Sequence, residues 1–113
     1  TNGYFFRWEQ IWEKVVDLFD LPLGPPQSIS LQQFMADKTS TWRELAEVHG
    51  LVTPDIEKAV NWSFGDYIFN CDWDIMASTT KARQHGFESF EDSEHMFSQI
   101  LTEMAQARMI PPL

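Results

Sequence analysis

The residues of this chain that could do chemistry are few and scattered. His49, His85 and His95 stand far apart, without a close His or Cys pair, whereas a zinc site needs three or four convergent donors. Each therefore reads as a helix-end or surface histidine, and no metal site is expected. The single cysteine, Cys71, has no obvious activating base nearby and reads as a small buried residue rather than a nucleophile. It opens the run Cys71-Asp72-Trp73-Asp74. Adjacent carboxylates there could raise one pKa and serve acid–base work. The simpler reading makes Asp74 the cap of a following turn and leaves Asp72 solvated. The five glycines, at 3, 24, 50, 65 and 86, are too dispersed for a phosphate-cradling loop. No catalytic residue is expected within the chain.

The elements that would position these residues read as helices. Trp8, Ile11, Trp12, Val15, Leu18 and Phe19 follow the spacing of one helical face between Arg7 and Phe19. Leu21-Pro22-Leu23-Gly24-Pro25-Pro26 stops that helix. Ser28 or Ser30 can cap a short helix through Met35. Thr39-Ser40-Thr41 offers caps for a helix over Trp42 to His49, closed by Gly50 in a left-handed conformation. Thr53 at a cap and Pro54 at the first helical position open another.

Asn61 to Trp73 is aromatic and short, and its periodicity does not separate a buried helix from an extended segment. Ser78 to His85 reads as a helix closed by Gly86, with Lys81, Arg83 and His85 suited to its negative end. The clearest pattern runs from Asp92 or Ser93 to about Arg108, with Met96, Phe97, Ile100, Leu101 and Met104 as its stripe. The fold class is mainly α: a single domain, 1–113, of five to seven helices.

Composition bounds the rest. The chain has 113 residues, 8 of them Lys or Arg against 17 Asp or Glu, for a formal charge of −9. That balance argues against nucleic acid as a partner, since phosphates are neutralised by Lys and Arg. Aromatic residues make up 14%, which argues against disorder in spite of the acidity. One cysteine excludes an internal disulfide framework and fits a reducing, cytoplasmic setting. No apolar run approaches the roughly 20 residues of a membrane span. The chain starts Thr1-Asn2-Gly3, and Asn-Gly is a turn signal that normally follows a strand. A start inside a larger protein is therefore expected.

Several runs together resemble one family. Thr1-Asn2-Gly3, Phe6-Arg7-Trp8 with Ile11-Trp12, Met35-Ala36-Asp37-Lys38 followed by Trp42, and Gly50-Leu51 come first. Asn61-Trp62-Ser63-Phe64-Gly65-Asp66, the run Thr80-Lys81-Ala82-Arg83-Gln84-His85-Gly86-Phe87, and Arg108-Met109-Ile110-Pro111 follow. In this order they resemble the C-terminal region of extended short-chain dehydrogenase/reductases, within the NAD-dependent epimerase/dehydratase-like superfamily. The nearest branch is the progesterone 5β-reductase/iridoid synthase-like group. The Lys-Ala-Arg-x-x-Gly-Phe ending is widespread in the superfamily, whereas the Trp-x-Phe-x-Asp run with the Ile-Pro ending points to the branch.

In that family a Rossmann-like part binds NADP or NAD and supplies a catalytic Tyr and Lys. Here Tyr4 is followed four residues later by Trp8, and Tyr67 by Cys71. The resemblance therefore implies a small helical substrate-binding cap, with no cofactor site of its own, whose partner is a Rossmann half of the same polypeptide.

The same resemblance sets the Trp62 to Cys71 segment against a substrate pocket. If that segment is helical, Phe64, Ile68 and Cys71 fall at i, i+4 and i+7 on one face. Such a face would suit a small apolar carbonyl or enone. Packing against neighbouring helices is the competing reading for all three, while Trp62, Asp66 and Phe69 read as structural. Ser63 stands where a second aromatic is common in plant members, so steroid or monoterpene chemistry does not carry over. Two alternatives stay open: the same domain of a nucleotide-sugar epimerase or dehydratase, and a stand-alone acidic interaction module. Both the cap and the module imply exposed apolar surface and self-association.

Overall fold

The structure, a computed structural model, describes residues 5–113. The Asn2-Gly3 turn and Tyr4 lie outside the described residues. Seven helices and no strand occur among the described residues, as the mainly α reading expects. They form two compact units: one of the described residues up to Leu23 together with Asp74–Thr102, the other of Gly24–Trp73 with Glu103–Leu113.

In the first unit, α1 (Trp8–Leu18) buries Ile11 to 1% exposure, while Trp8, Val15, Leu18 and the following Phe19 are half-buried. The predicted stripe is thus the inner face, with Trp12 at its exposed margin. Beyond the helix, Asp20 takes a left-handed φ of 51° and the Leu21 amide returns to the Val16 carbonyl at 2.9 Å. The chain has turned before Pro22 arrives. Phe6, Trp8 and Phe97 meet edge to face, with centroids 5.2 to 5.9 Å apart. Such pairs add about 0.5–1.5 kcal/mol each beyond their burial, and they join the start of α1 to α7 (Ser93–Gln106).

Asp92 is the cap of α7: its Oδ1 accepts from the Glu94 amide at 2.9 Å and the His95 amide at 3.4 Å. The short α6 (Thr80–Gln84) covers only the middle of the expected helix, and the Phe87 amide closes it on the Ala82 carbonyl at 3.0 Å. Asp74 is not a turn cap. Its carboxylate receives the Arg7 guanidinium, Nη1 to Oδ1 at 2.6 Å and Nη2 to Oδ2 at 3.3 Å. Sequence spacing could not show a partner 67 positions away. The pair is mostly exposed, so it contributes about 0.2–1 kcal/mol.

The second unit holds α2 (Leu31–Met35), α3 (Thr39–His49), α4 (Ile56–Ala59) and α5 (Trp62–Phe69). Ser30 caps α2, its hydroxyl accepting from the Gln33 amide at 3.3 Å. Thr39, Ser40 and Thr41 are not caps: α3 already includes them, because the Trp42 amide reaches back to the Lys38 carbonyl at 3.0 Å. Thr53 and Pro54 likewise precede α4, whose N-cap is Asp55. Trp42 spans this connection, its Nε1–H donating to the Thr53 carbonyl at 2.9 Å. Ala46, Leu51 and Ile56 are the buried apolar residues of the unit.

Gly50 ends α3 at φ 61°, ψ 42°, and the Leu51 amide closes on the Ala46 carbonyl at 2.8 Å. Only glycine takes this left-handed geometry without a Cβ penalty. Gly50→Ala is therefore expected to lower stability by about 1 kcal/mol, read as a shift in the urea midpoint at unchanged slope. An unchanged midpoint would contradict the cap.

Few apolar residues are covered. Ile11, Ala46, Leu51 and Ile56 are the buried ones among the described residues, while Phe64, Tyr67, Trp73, Ile75, Met76, Phe87 and Phe90 all lie open. No helix of the described residues is long and apolar enough to cross a membrane.

Candidate functional site

The ambiguous segment after Asn61 is helical. Asn61 starts it, its side-chain oxygen accepting from the Phe64 amide at 3.1 Å and from the Ser63 hydroxyl at 2.8 Å. The helix, α5, then runs Trp62–Phe69 and ends at Asn70, whose amide donates to the Asp66 carbonyl at 3.0 Å. Two faces follow from the 3.6-residue period. Phe64 and Ile68 share one, and Trp62, Asp66 and Phe69 share the other.

Of the expected substrate residues, Phe64 is 60% exposed and Ile68 half-buried. Helical geometry stops before Cys71, so the i+7 argument does not reach it. Cys71 lies just past the helix end, half-buried, its thiol against the Tyr67 carbonyl at 3.4 Å. The structure thus brings Phe64 and Ile68 onto one helical face and hangs Cys71 from its C-terminal end. Tyr67 was not among the expected residues. Its ring stacks beside Phe64 with centroids 6.4 Å apart and planes at 28°, and it is 61% exposed. The aromatic i, i+3 pair Phe64–Tyr67 was the available signal.

The opposite face of α5 is anchored by one carboxylate. Asp66 Oδ1 accepts from the Leu31 amide at 2.5 Å, and Oδ2 from the Ser30 hydroxyl at 2.9 Å and the Gln32 amide at 3.2 Å. With Ser30 serving Gln33, the first three amides of α2 all have partners, although a helix start leaves them without intrahelical ones. These bonds hold the Asp66 carboxyl below the usual carboxylate range. The Leu31 amide is the largest cause, desolvation opposes it, and the Gln32 amide and Ser30 hydroxyl add to it.

A carboxyl depressed in the folded state adds stability above its unfolded pKa, near 3.8, and that contribution disappears as pH falls through the folded value. Asp66→Asn is therefore expected to lose less stability on acidification below about pH 4 than the parent chain does. Urea midpoints across that range check this. Parallel pH dependences would contradict it.

A cleft of about 450 Å³ also lies in this unit, between α2, α4 and α5, with Met35, Ile56, Val60, Asn61 and Trp62 in its walls. Phe64, Ile68 and Cys71 do not line it. Asn61 and Ser63, two of its polar groups, are already engaged in starting α5. No group of three or more His, Cys, Asp or Glu placed to hold a metal occurs among the described residues.

No family model matches the chain. It is 28% identical over 116 residues to an (S)-8-oxocitronellyl enol synthase of Nepeta cataria, covering 98% of the chain and 29% of that protein. The enzymes of the same name from Camptotheca acuminata and Catharanthus roseus are each 28% identical over 115 residues, with the same coverage. The chain spans under a third of the length of these relatives. With these relatives, the resemblance to the C-terminal region of the progesterone 5β-reductase/iridoid synthase-like branch is borne out.

Proposed function

We propose that the chain is the helical substrate-binding domain, within 1–113, of a larger NAD(P)-dependent oxidoreductase that acts on an apolar carbonyl or enone. The observation that carries this reading is the open Phe64–Tyr67 pair on α5, in a chain whose relatives are more than three times its length and are named for an enol synthase activity. The nicotinamide group, held by the remaining part of the polypeptide, supplies the hydride when bound. Phe64 and Ile68 would pack on the apolar body of the substrate and exclude water. Tyr67, with an exposed phenol, can donate to a substrate oxygen, and Cys71 would close the end of the wall. The nucleotide-binding half is the chief partner, covering apolar residues left open here, and a reducing, cytoplasmic setting belongs to the same reading.

A nucleotide-sugar substrate fits this face less well. Recognition of a diphosphate draws on basic groups, and α5, with the sequence WSFGDYIF, carries none. A stand-alone interaction module would leave the similarity over 98% of the chain to enol synthases without a role. The full-length protein is expected to oxidise NADPH or NADH with an apolar enone and not with a UDP- or dTDP-sugar. Turnover of the sugar alone would overturn the reading.

A further inference from the structure

The structure assigns to Gly65 and Asp66 a task that neither composition nor periodicity shows: together they set the depth and rotation of α5, and so the position of Phe64 and Ile68. This rests on the substrate-wall reading above. The first ground is close approach. A Cβ built on Gly65 would stand 3.0 Å from Leu31 Cδ1, tighter than ordinary packing, so α5 seats against the Leu31 side chain of α2 where a side chain at 65 would force Leu31 to yield. The second ground is direction. The neighbouring carboxylate accepts three hydrogen bonds from Ser30, Leu31 and Gln32, which lie on consecutive positions 34 to 36 residues earlier. Glycine lets α5 seat on the Leu31 side chain, and the three donors fix how α5 is rotated.

Asp66 sits two residues from Phe64 and two from Ile68 in an eight-residue helix, about 200° around the axis from each. A helix this short does not absorb a displacement at one face by bending. Rotation about its axis or a shift away from α2 moves Phe64 and Ile68 with it. Apolar contact falls off within an ångström, so a small movement of the wall weakens substrate binding. Asp66 touches no reacting atom and is a positioning residue.

The test separates positioning from plain stability. Asp92, in the other unit, performs the same kind of capping at the start of α7, so Asp66→Ala and Asp92→Ala each remove a capping carboxylate. In the full-length protein, Asp66→Ala is expected to raise KM for an apolar enone, cyclohexenone with a long alkyl substituent serving as the probe, by about tenfold. KM for NADPH should be unchanged. Asp92→Ala should lower the unfolding midpoint and leave both KM values in place, and Asp66→Asn, which keeps one acceptor oxygen, should recover part of the loss. An unchanged enone KM in Asp66→Ala beside an active wild type would overturn the positioning role and leave the reading of the face intact. Wild-type protein inactive toward the enone would overturn both.

Discussion

Phe64→Ala in the full-length protein is expected to raise KM for an apolar enone by about tenfold while the affinity for NADPH is retained. Phe64 is 60% exposed on α5, so in the chain itself the ring buries little and its removal leaves no cavity. In a substrate-covering role the same ring would lose its contact with the ligand. One apolar contact of that kind is worth about 1–3 kcal/mol, and about 1.4 kcal/mol is a tenfold change in binding. Steady-state kinetics with each substrate varied in turn separates the two affinities. A shift in NADPH affinity equal to that in enone KM would place Phe64 at the cofactor instead.

Ile11→Ala should have the largest effect on stability. Ile11 is 1% exposed and is the buried apolar residue among the described residues of the first unit. Removing its methylene and methyl groups costs their transfer from water and the cavity left behind, together about 2–5 kcal/mol. For a chain whose apolar side chains are mostly open, that is a large share of the roughly 5–15 kcal/mol typical of a folded domain. Ile75 is 72% exposed, so Ile75→Ala in the same 113-residue chain should stay within about 0.5 kcal/mol of the parent. Urea unfolding followed by circular dichroism compares them. Equal midpoints for the two variants would contradict the assignment of the core.

The helices were legible where local chemistry decides them. The stripe of α1, a cap at Ser28 or Ser30 (it is Ser30), Gly50 beyond α3 and a start of α7 at Asp92 or Ser93 each involve partners within a few residues. Boundaries set by competition were not. Thr39 to Thr41 can cap or continue a helix, and the turn at Lys38 decided for the helix. The same limit governs the site. Phe64 and Ile68 followed from the helical period once α5 formed, but the period says nothing of Cys71, beyond the last turn.

Two groups depended on distant partners. Asp74 looked like a cap because sequence proximity hides Arg7, and Asp66 looked merely structural because its donors lie on another helix. Tyr67 was passed over because its i, i+3 spacing from Phe64 is a signal only if the segment is helical, which periodicity left open. The resemblance to a reductase branch came from order and spacing of motifs along the whole chain, which packing does not affect.

Hydrogen exchange on the full-length protein, read over residues 62–71, asks most directly whether α5 faces the substrate. With NADPH present, addition of a saturated ketone that binds without being reduced should slow exchange across 62–71, while NADPH alone should leave that segment as it was. Exchange over 62–71 that responds to NADPH alone, or that ignores the ketone at saturating concentration, would contradict the assignment of this helix to the substrate.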